Sequence, residues 1–374
     1  MVSMKDIARQ AGVSVCTVSL VFNGKTGNRV SERMVRRVLA TAKELGYEPN
    51  SVARTLRMRR SHVLGFITDE IATTPYAGAI MLGAQDAARR LGYILLVVST
   101  GNDRELEREQ IATLRSHQVD GYLYALMYHR RVPLPAELRD APTVVVDGED
   151  EDGQAPSLYP DERLIGRDAT ARLIAAGCRR IVYFGSETHI LAQDERLEGY
   201  RQALDEADIG FDPALVVNAT ENVNAGERAG HMLDELKPDG VFCFNDVRAP
   251  AVYEAAQARG LRVGSDLAVI GVDNQPFIAS VLRPALTTVE LPHYDMGFLG
   301  VLRVVSMIDG PDAVQGVLPD HGALVEAGGE GAVGASAVSS DVSAAAGALG
   351  SDGALSVGLR CRIVDKESVP PVLP

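Results

Sequence analysis

The chain has 374 residues, 46% apolar and 23% charged, enough to bury a sizeable core but too long for one comfortable domain. Its formal charge of -13 is unevenly placed: residues 1–60 hold twelve Lys or Arg against four Asp or Glu, a net of +8, which leaves -21 on the remainder. Lys5, Asp6 and Arg9 interrupt any signal segment and no apolar run is long enough to span a membrane, so a cytoplasmic protein is expected, its four cysteines (Cys16, Cys178, Cys243, Cys361) reduced and without metal-ligand spacing.

In chain order, Ser3 caps a helix that runs to about Gln10, with Asp6 at the third helical position as a variant of the capping box. Ala11-Gly12-Val13 make a short turn, Ser14 caps a second helix from Val15 to about Phe22, and Asn23-Gly24 stops it. Two short helices joined by a Gly-containing turn form the helix-turn-helix pattern, in which the second helix enters the major groove. A third helix, residues 31–45, sets Val35, Val38, Leu39, Ala42 and Leu45 at helical spacing, and Ile7, Val18 and Val21 are expected to meet that stripe. A basic stretch at Arg54, Arg57, Arg59 and Arg60 follows.

From His62 onward, apolar runs alternate with helical segments. Strands are expected at 63–67, 93–98, 121–126 and 143–147, with helices at 78–91 and 104–117. A second set begins near Arg163: a helix to Ala176, strand 181–184, helix 195–207, strand 215–218, helix 225–236, strand 240–244, helix 247–259 and strand 267–272. This alternation implies parallel sheets, and two such units in tandem imply two lobes with a cleft at the strand ends. Asp69, Asp147, Asn245-Asp246 and Asp273-Asn274 each follow an apolar run, and Arg196 stands near a helix start. Carboxylates and amides beside an arginine suit hydroxyl-rich ligands, since they accept from and donate to neighbouring hydroxyls while the guanidinium fork orients a ring. The other reading of such residues is that they cap helices or close turns.

Enzyme signatures are missing. There is no Gly-x-Ser-x-Gly elbow, no phosphate loop ending in Lys-Ser or Lys-Thr, no dinucleotide fingerprint after the first strand and no His-x-x-x-His pair. No catalytic residue, metal or cofactor is therefore expected. Beyond Gly310 the chain turns rich in Gly, Ala and Ser, from about Gly328 to Gly353, which reads as a mobile loop. Residues 359–364 then read as one strand.

The run Lys5-Asp6-Ile7-Ala8, Gly12 through Ser19, Asn23-Gly24, Val30-Ser31, Leu45 through Asn50 and Ala53-Arg54-Thr55-Leu56 resembles the lactose-repressor (LacI) family of bacterial transcription regulators. The resemblance is dense over residues 4–60 and looser to about residue 310. It implies an all-α helix-turn-helix headpiece (1–49), a hinge helix and linker (50–60), and a two-lobed α/β periplasmic-binding-protein-like effector and dimerisation domain (61–374). Lobe one is expected at about 61–158 and 289–320, lobe two at about 159–288 and 356–369, with an insertion at about 321–355. The DNA-facing residues it implies are Ser14, Val15, Cys16, Thr17, Ser19, Leu20 and Asn23, with Asn50, Ala53, Arg54, Leu56 and Arg57 in the hinge. Read from the residues alone, Ser14, Thr17, Ser19 and Asn23 serve equally as caps or surface residues, and Leu56 as an ordinary linker residue.

Where many members carry an arginine that reads guanine, this chain has Leu20, which can only pack, for example on a thymine methyl. Leu56 is the implied wedge between base pairs. Effector contacts are implied at Arg196, Asn245 and Asp273, with Asp147, Tyr76 and Phe277 lining the same cleft. The expected function is a homodimeric regulator of palindromic operator DNA, a repressor of carbohydrate uptake or catabolism genes relieved by a sugar. The alternatives are a regulator that answers to a purine or other non-sugar metabolite and, outside transcription, an extracytoplasmic solute-binding protein.

Overall fold

The computed structural model describes residues 2–22, 26–47, 60–70, 78–220, 223–319 and 356–372. The chain divides into two compact units, Met1–His62 and Val63–Pro374.

The first unit is three helices: α1 (Met4–Ala11), α2 (Val15–Phe22) and α3 (Glu32–Glu44). The Asp6 carboxylate accepts from both the Ser3 backbone N–H (3.0 Å) and the Ser3 hydroxyl (2.6 Å), which holds the start of α1. Gly12 ends that helix in the left-handed region (φ 65°), where a side chain would be strained. The Ser14 hydroxyl accepts from the Thr17 N–H at 3.0 Å and caps α2. Ile7, Ala8, Ala11, Val18, Val21, Val38 and Ala42 form the buried core, closed at one end by the Phe22 and Tyr47 rings 5.3 Å apart. Leu39, expected in that core, is instead 47% exposed, because Val38 and Ala42 already fill the side of α3 that faces α1 and α2.

The second unit holds two six-stranded sheets. In chain order the elements are β1 (Val63–Thr68), α4 (Gly78–Arg90), β2 (Ile94–Ser99), α5 (Arg104–Ser116), β3 (Gly121–Ala125), β4 (Arg131–Val132), β5 (Thr143–Val146), β6 (Glu149–Asp150), β7 (Ser157–Pro160), α6 (Glu162–Ala175), β8 (Ile181–Ser186), α7 (Leu191–Glu206), β9 (Val216–Ala219), α8 (Ala225–Glu235), β10 (Gly240–Cys243), α9 (Ala249–Ala258), β11 (Ala268–Val272), α10 (Pro276–Ala279), β12 (Thr287–Glu290), α11 (His293–Asp309), β13 (Ser356–Leu359) and β14 (Arg362–Val364). The first sheet runs β13-β7-β5-β3-β1-β2, all parallel. The second runs β14-β12-β11-β10-β8-β9, parallel except for β14. The central strands are continuous Val, Ile, Leu and Phe runs because helices cover both faces.

The expected single strand at 359–364 is two strands in different sheets: β13 pairs with β7 in the first lobe, β14 with β12 in the second. Residues 356–359 therefore belong to the first lobe's sheet. The chain passes between the lobes three times, after β7, between β12 and α11, and at Arg360-Cys361.

Each lobe packs one helix pair through a reciprocal pair of glycines. A Cβ on Gly83 of α4 would sit 1.9 Å from the Tyr294 carbonyl oxygen, and one on Gly297 of α11 would sit 1.9 Å from that of Ile80. In the second lobe a Cβ on Gly166 of α6 would lie 2.0 Å from the Arg196 carbonyl oxygen, and one on Gly199 of α7 equally close to that of Arg163. Backbones this close leave no room for a methyl group, so glycine is required at all four positions.

Candidate functional site

In the first unit, α2 turns Val18 and Val21 inward and leaves a different set outward. Val15 is 42% exposed, Ser14 and Cys16 are exposed, and Thr17, Ser19 and Leu20 are half-buried. This is the face that a reading helix would offer to base edges. Asn23 and the expected hinge residues Asn50, Ala53, Arg54, Leu56 and Arg57 lie outside the described residues.

In the second unit, a narrow cavity of ≈ 10 Å³, room for about one water molecule, lies between the lobes. A backbone hydrogen bond from Ala192 N–H, at the start of α7, to the His129 carbonyl crosses from one lobe to the other at 3.2 Å. Asp147 and His129 line the cavity from the first lobe, and Glu162, Arg196, Asn245 and Asp273 from the second. Asp147 and Asp273 both follow the last residue of a parallel strand and both take positive φ (56° and 111°), a cost of order 1–3 kcal/mol each that persists only where the surroundings enforce it.

The second lobe's groups are bonded to one another. Arg196 Nε donates to Glu162 at 2.6 Å and Nη1 to the Phe244 carbonyl at 2.6 Å, with its guanidinium 4.6 Å above the Phe244 ring. Arg248, fully buried, donates to the Asn245 side-chain oxygen (2.8 Å) and to the carbonyls of Gly185 and Ala219. The Asp273 carboxylate accepts from Gln275 Nε2 at 2.8 Å. Behind it, Asp246 accepts from the Thr288 hydroxyl (2.6 Å) and the Gln275 N–H (2.8 Å); burial, then the nearby Asp273, push its carboxyl well above the usual range.

The first lobe's groups are less complete. Asp69 accepts from Arg130 (2.8 Å) and from the Met127 N–H (3.2 Å), and His129 Nε2 pairs with Glu149 at 3.1 Å while its ring stacks on Tyr159. The Asp147 carboxylate is buried, and the buried His129 Nδ1 has no hydrogen-bond partner among the described residues. Burial first, then the Glu162 carboxylate, push Asp147 well above the ordinary carboxylate value.

Of the six effector residues expected from sequence, the structure brings Asp147, Arg196, Asn245 and Asp273 around one cavity. Phe277 is not among its lining residues. It is 81% exposed, because α10 buries Ala279 and residues two apart on a helix face opposite ways. Tyr76 lies outside the described residues. Glu162 and His129 were not anticipated. An acid in the first turn of a helix is what the helix dipole favours anyway, and His129 sits in a loop without a periodic signal. Among the described residues, no group of His, Cys, Asp or Glu side chains is arranged to hold a metal ion, and no helix is long and apolar enough to cross a membrane.

Comparison with known proteins agrees with this layout. Residues 3–50 match the family described as bacterial regulatory proteins, lacI family, and residues 170–326 match a periplasmic binding protein-like domain. The HTH-type transcriptional regulator RegA of Clostridium saccharobutylicum is 34% identical over 312 residues, 82% of this chain and 92% of the relative. The ribose operon repressor of Escherichia coli (strain K12) is 33% identical over 333 residues, 88% of this chain and 99% of the relative. Among solved structures, the complex of the transcriptional regulator CelR with cellobiose is similar with a TM-score of 0.61 at 26% identity, covering 98% of this chain and 100% of that one.

Proposed function

The chain belongs to the lacI family of bacterial regulatory proteins, a sequence-specific DNA-binding regulator of transcription, and from that premise we propose that it represses carbohydrate uptake or catabolism genes until a small sugar enters the cleft between its lobes. The observation that carries the ligand class is the cavity itself, where Asp147, Arg196, Asn245 and Asp273 converge. Acids and amides around a single guanidinium bind hydroxyls, and they repel phosphates and carboxylates. Relatives named for ribose and crystallised with cellobiose point the same way. A purine would need an open aromatic face, whereas Phe277 lies off the cavity and the Phe244 ring is already covered by Arg196 and Arg248.

DNA recognition in this proposal uses Ser14, Val15, Cys16, Thr17, Ser19, Leu20 and Asn23 in the major groove, and Asn50, Ala53, Arg54, Leu56 and Arg57 as a hinge that orders on DNA. One short reading helix contacts too little DNA for high affinity, so two copies read a palindrome. Exposed apolar side chains supply two faces for that pairing: Leu82, Ile94 and Val97 on the first lobe, Phe277 and Val281 on the second. For a sugar to release DNA it must favour one lobe arrangement over the other, and by linkage operator DNA must weaken sugar binding by the same factor. The test is a melting screen of pentoses, hexoses, disaccharides and nucleobases on the full chain, followed by titration of any hit into an operator-binding assay. A sugar that raises the melting temperature and weakens operator binding is expected. A nucleobase hit with silent sugars sinks the carbohydrate reading, and sugar binding unaffected by Arg196→Ala and Asp273→Ala sinks the site.

A further inference from the structure

We infer that His129 is the residue by which the first lobe recognises the effector: its ring nitrogen Nδ1 accepts a hydrogen bond from one hydroxyl of the sugar. This rests on the cleft being the effector site and names the contact that selects what fills it.

His129 is almost wholly buried (4% exposed) and lines the cavity. Among the described residues, it is the one lining residue that keeps a buried side-chain nitrogen or oxygen without a hydrogen-bond partner. Its other nitrogen decides what that atom can do. Nε2 lies 3.1 Å from the Glu149 carboxylate, which only accepts, so Nε2 carries the hydrogen. In the neutral ring Nδ1 is then a lone pair, able to accept and unable to donate. A buried acceptor left unmet is costly, so the site favours a ligand that brings a donor to it. A sugar hydroxyl is such a donor. An ether oxygen, a carbonyl or a carboxylate at the same place brings a second lone pair and is repelled.

The ring is also held in place before any ligand arrives. β4 pairs with β6, and the Glu149 N–H donates to the Arg130 carbonyl at 3.0 Å, which keeps the Glu149 side chain beside the ring. Tyr159 of β7 stacks on it, with centroids 4.4 Å apart and planes 12° apart. These restraints all lie in the first lobe. They therefore hold at the wider lobe spacing that a monosaccharide needs in place of a cavity of ≈ 10 Å³. An acceptor already oriented loses little freedom on binding, which is what makes a single atom selective. The same residue touches the second lobe, because its carbonyl accepts from the Ala192 N–H at 3.2 Å. A hydroxyl bonded to Nδ1 thus acts on a residue whose backbone also joins the lobes.

Two measurements on the full chain test this. The first is NMR of isotope-labelled imidazole nitrogens at about pH 8, with the His129 signals assigned by their absence from His129→Gln. The ring should carry its proton on Nε2, and a proton on Nδ1 overturns the inference. The second is calorimetry that compares D-ribose and D-glucose with the forms of each that lack a single hydroxyl. One deletion should weaken binding to the unaltered protein about tenfold and leave binding to His129→Gln unchanged, whereas the other deletions should cost the same in both proteins. Glutamine can still donate to Glu149 but offers no lone pair in place of Nδ1. If that variant fails to melt cooperatively, His129→Phe, which keeps a ring against Tyr159, should give the same pattern. Deletions that all cost the same in protein and variant overturn the inference and leave the sugar-cleft reading standing. If neither intact sugar binds, the inference is overturned, and the cleft reading is then decided by the wider sugar screen.

Discussion

The two lobes share a strand order and a glycine-paired helix crossing, yet they meet the cleft in opposite conditions. On the second lobe Arg196 is bonded to Glu162, Asn245 to Arg248, Asp273 to Gln275 and Asp246 to Thr288. On the first, the buried His129 Nδ1 has no hydrogen-bond partner among the described residues. The same architecture thus yields one wall whose polar groups are bonded to one another and one that keeps a buried ring nitrogen without a partner. Order at a binding wall reduces what binding must fix, and incompleteness sets which ligand is accepted.

The largest effect should come from breaking the organised wall. Glu162→Gln leaves the buried Arg196 charge without its partner and should lower unfolding stability by about 3–5 kcal/mol in urea denaturation; a loss below about 1 kcal/mol would mean that this wall is not held by the pair.

The shared helix crossing gives the next contrast. Gly83→Ala in the first lobe and Gly166→Ala in the second each place a methyl carbon about 2 Å from a carbonyl oxygen, and each should cost about 3 kcal/mol. Similar losses would confirm that the lobes are equally rigid in their scaffold and differ only at the cleft. A much smaller loss in one lobe would show that its helices part easily and would move the difference into the scaffold.

The smallest effect probes the incomplete wall. Because burial and then Glu162 raise the Asp147 carboxyl, the folded chain holds its proton to higher pH than the unfolded chain does. This group favours folding most below about pH 4, the unfolded value, and that contribution is lost as pH rises toward the raised folded value. Asp147→Asn removes the loss, so the variant should be the more stable protein at pH 7.5, by about 1 kcal/mol, with the gap closing toward pH 4. Melting curves across that range check it, and a variant less stable than the parent at pH 7.5 would mean that Asp147 has a stabilising partner.

Much of this was readable in the sequence, for reasons that also explain the failures. Residues 63–68, 181–186 and 268–272 are continuous apolar runs between helical segments, and burial on both faces is the one condition that favours such runs in a sheet. Asp147, Asn245 and Asp273 stood out because each ends such a run. The strand expected at 359–364 was misjudged because Arg360-Cys361 crosses between lobes as extended chain, locally the same as a strand; only pairing distinguishes them. Phe277 was misplaced because Pro276-Phe277-Ile278-Ala279 reads alike whether its first or its last turn residue faces inward. Leu39 fits the apolar stripe of α3 by spacing, but three helices this short have too little interior to bury the whole stripe.

The interleaved path of the chain also sets the order in which the protein can be made. A ribosome delivers residues from the N-terminus, and domains tend to fold as units as they emerge. The three-helix unit ends by His62. The first lobe, begun at Val63, lacks α11 until Asp309 has been synthesised and β13 until Leu359, and the second lobe lacks β14 until Val364. With the 36 residues from 320 to 355 placed before those last two strands, both sheets wait for nearly the whole chain before closing. A nascent chain cut short by a late nonsense codon would therefore carry a finished DNA-reading unit on two unfinished lobes.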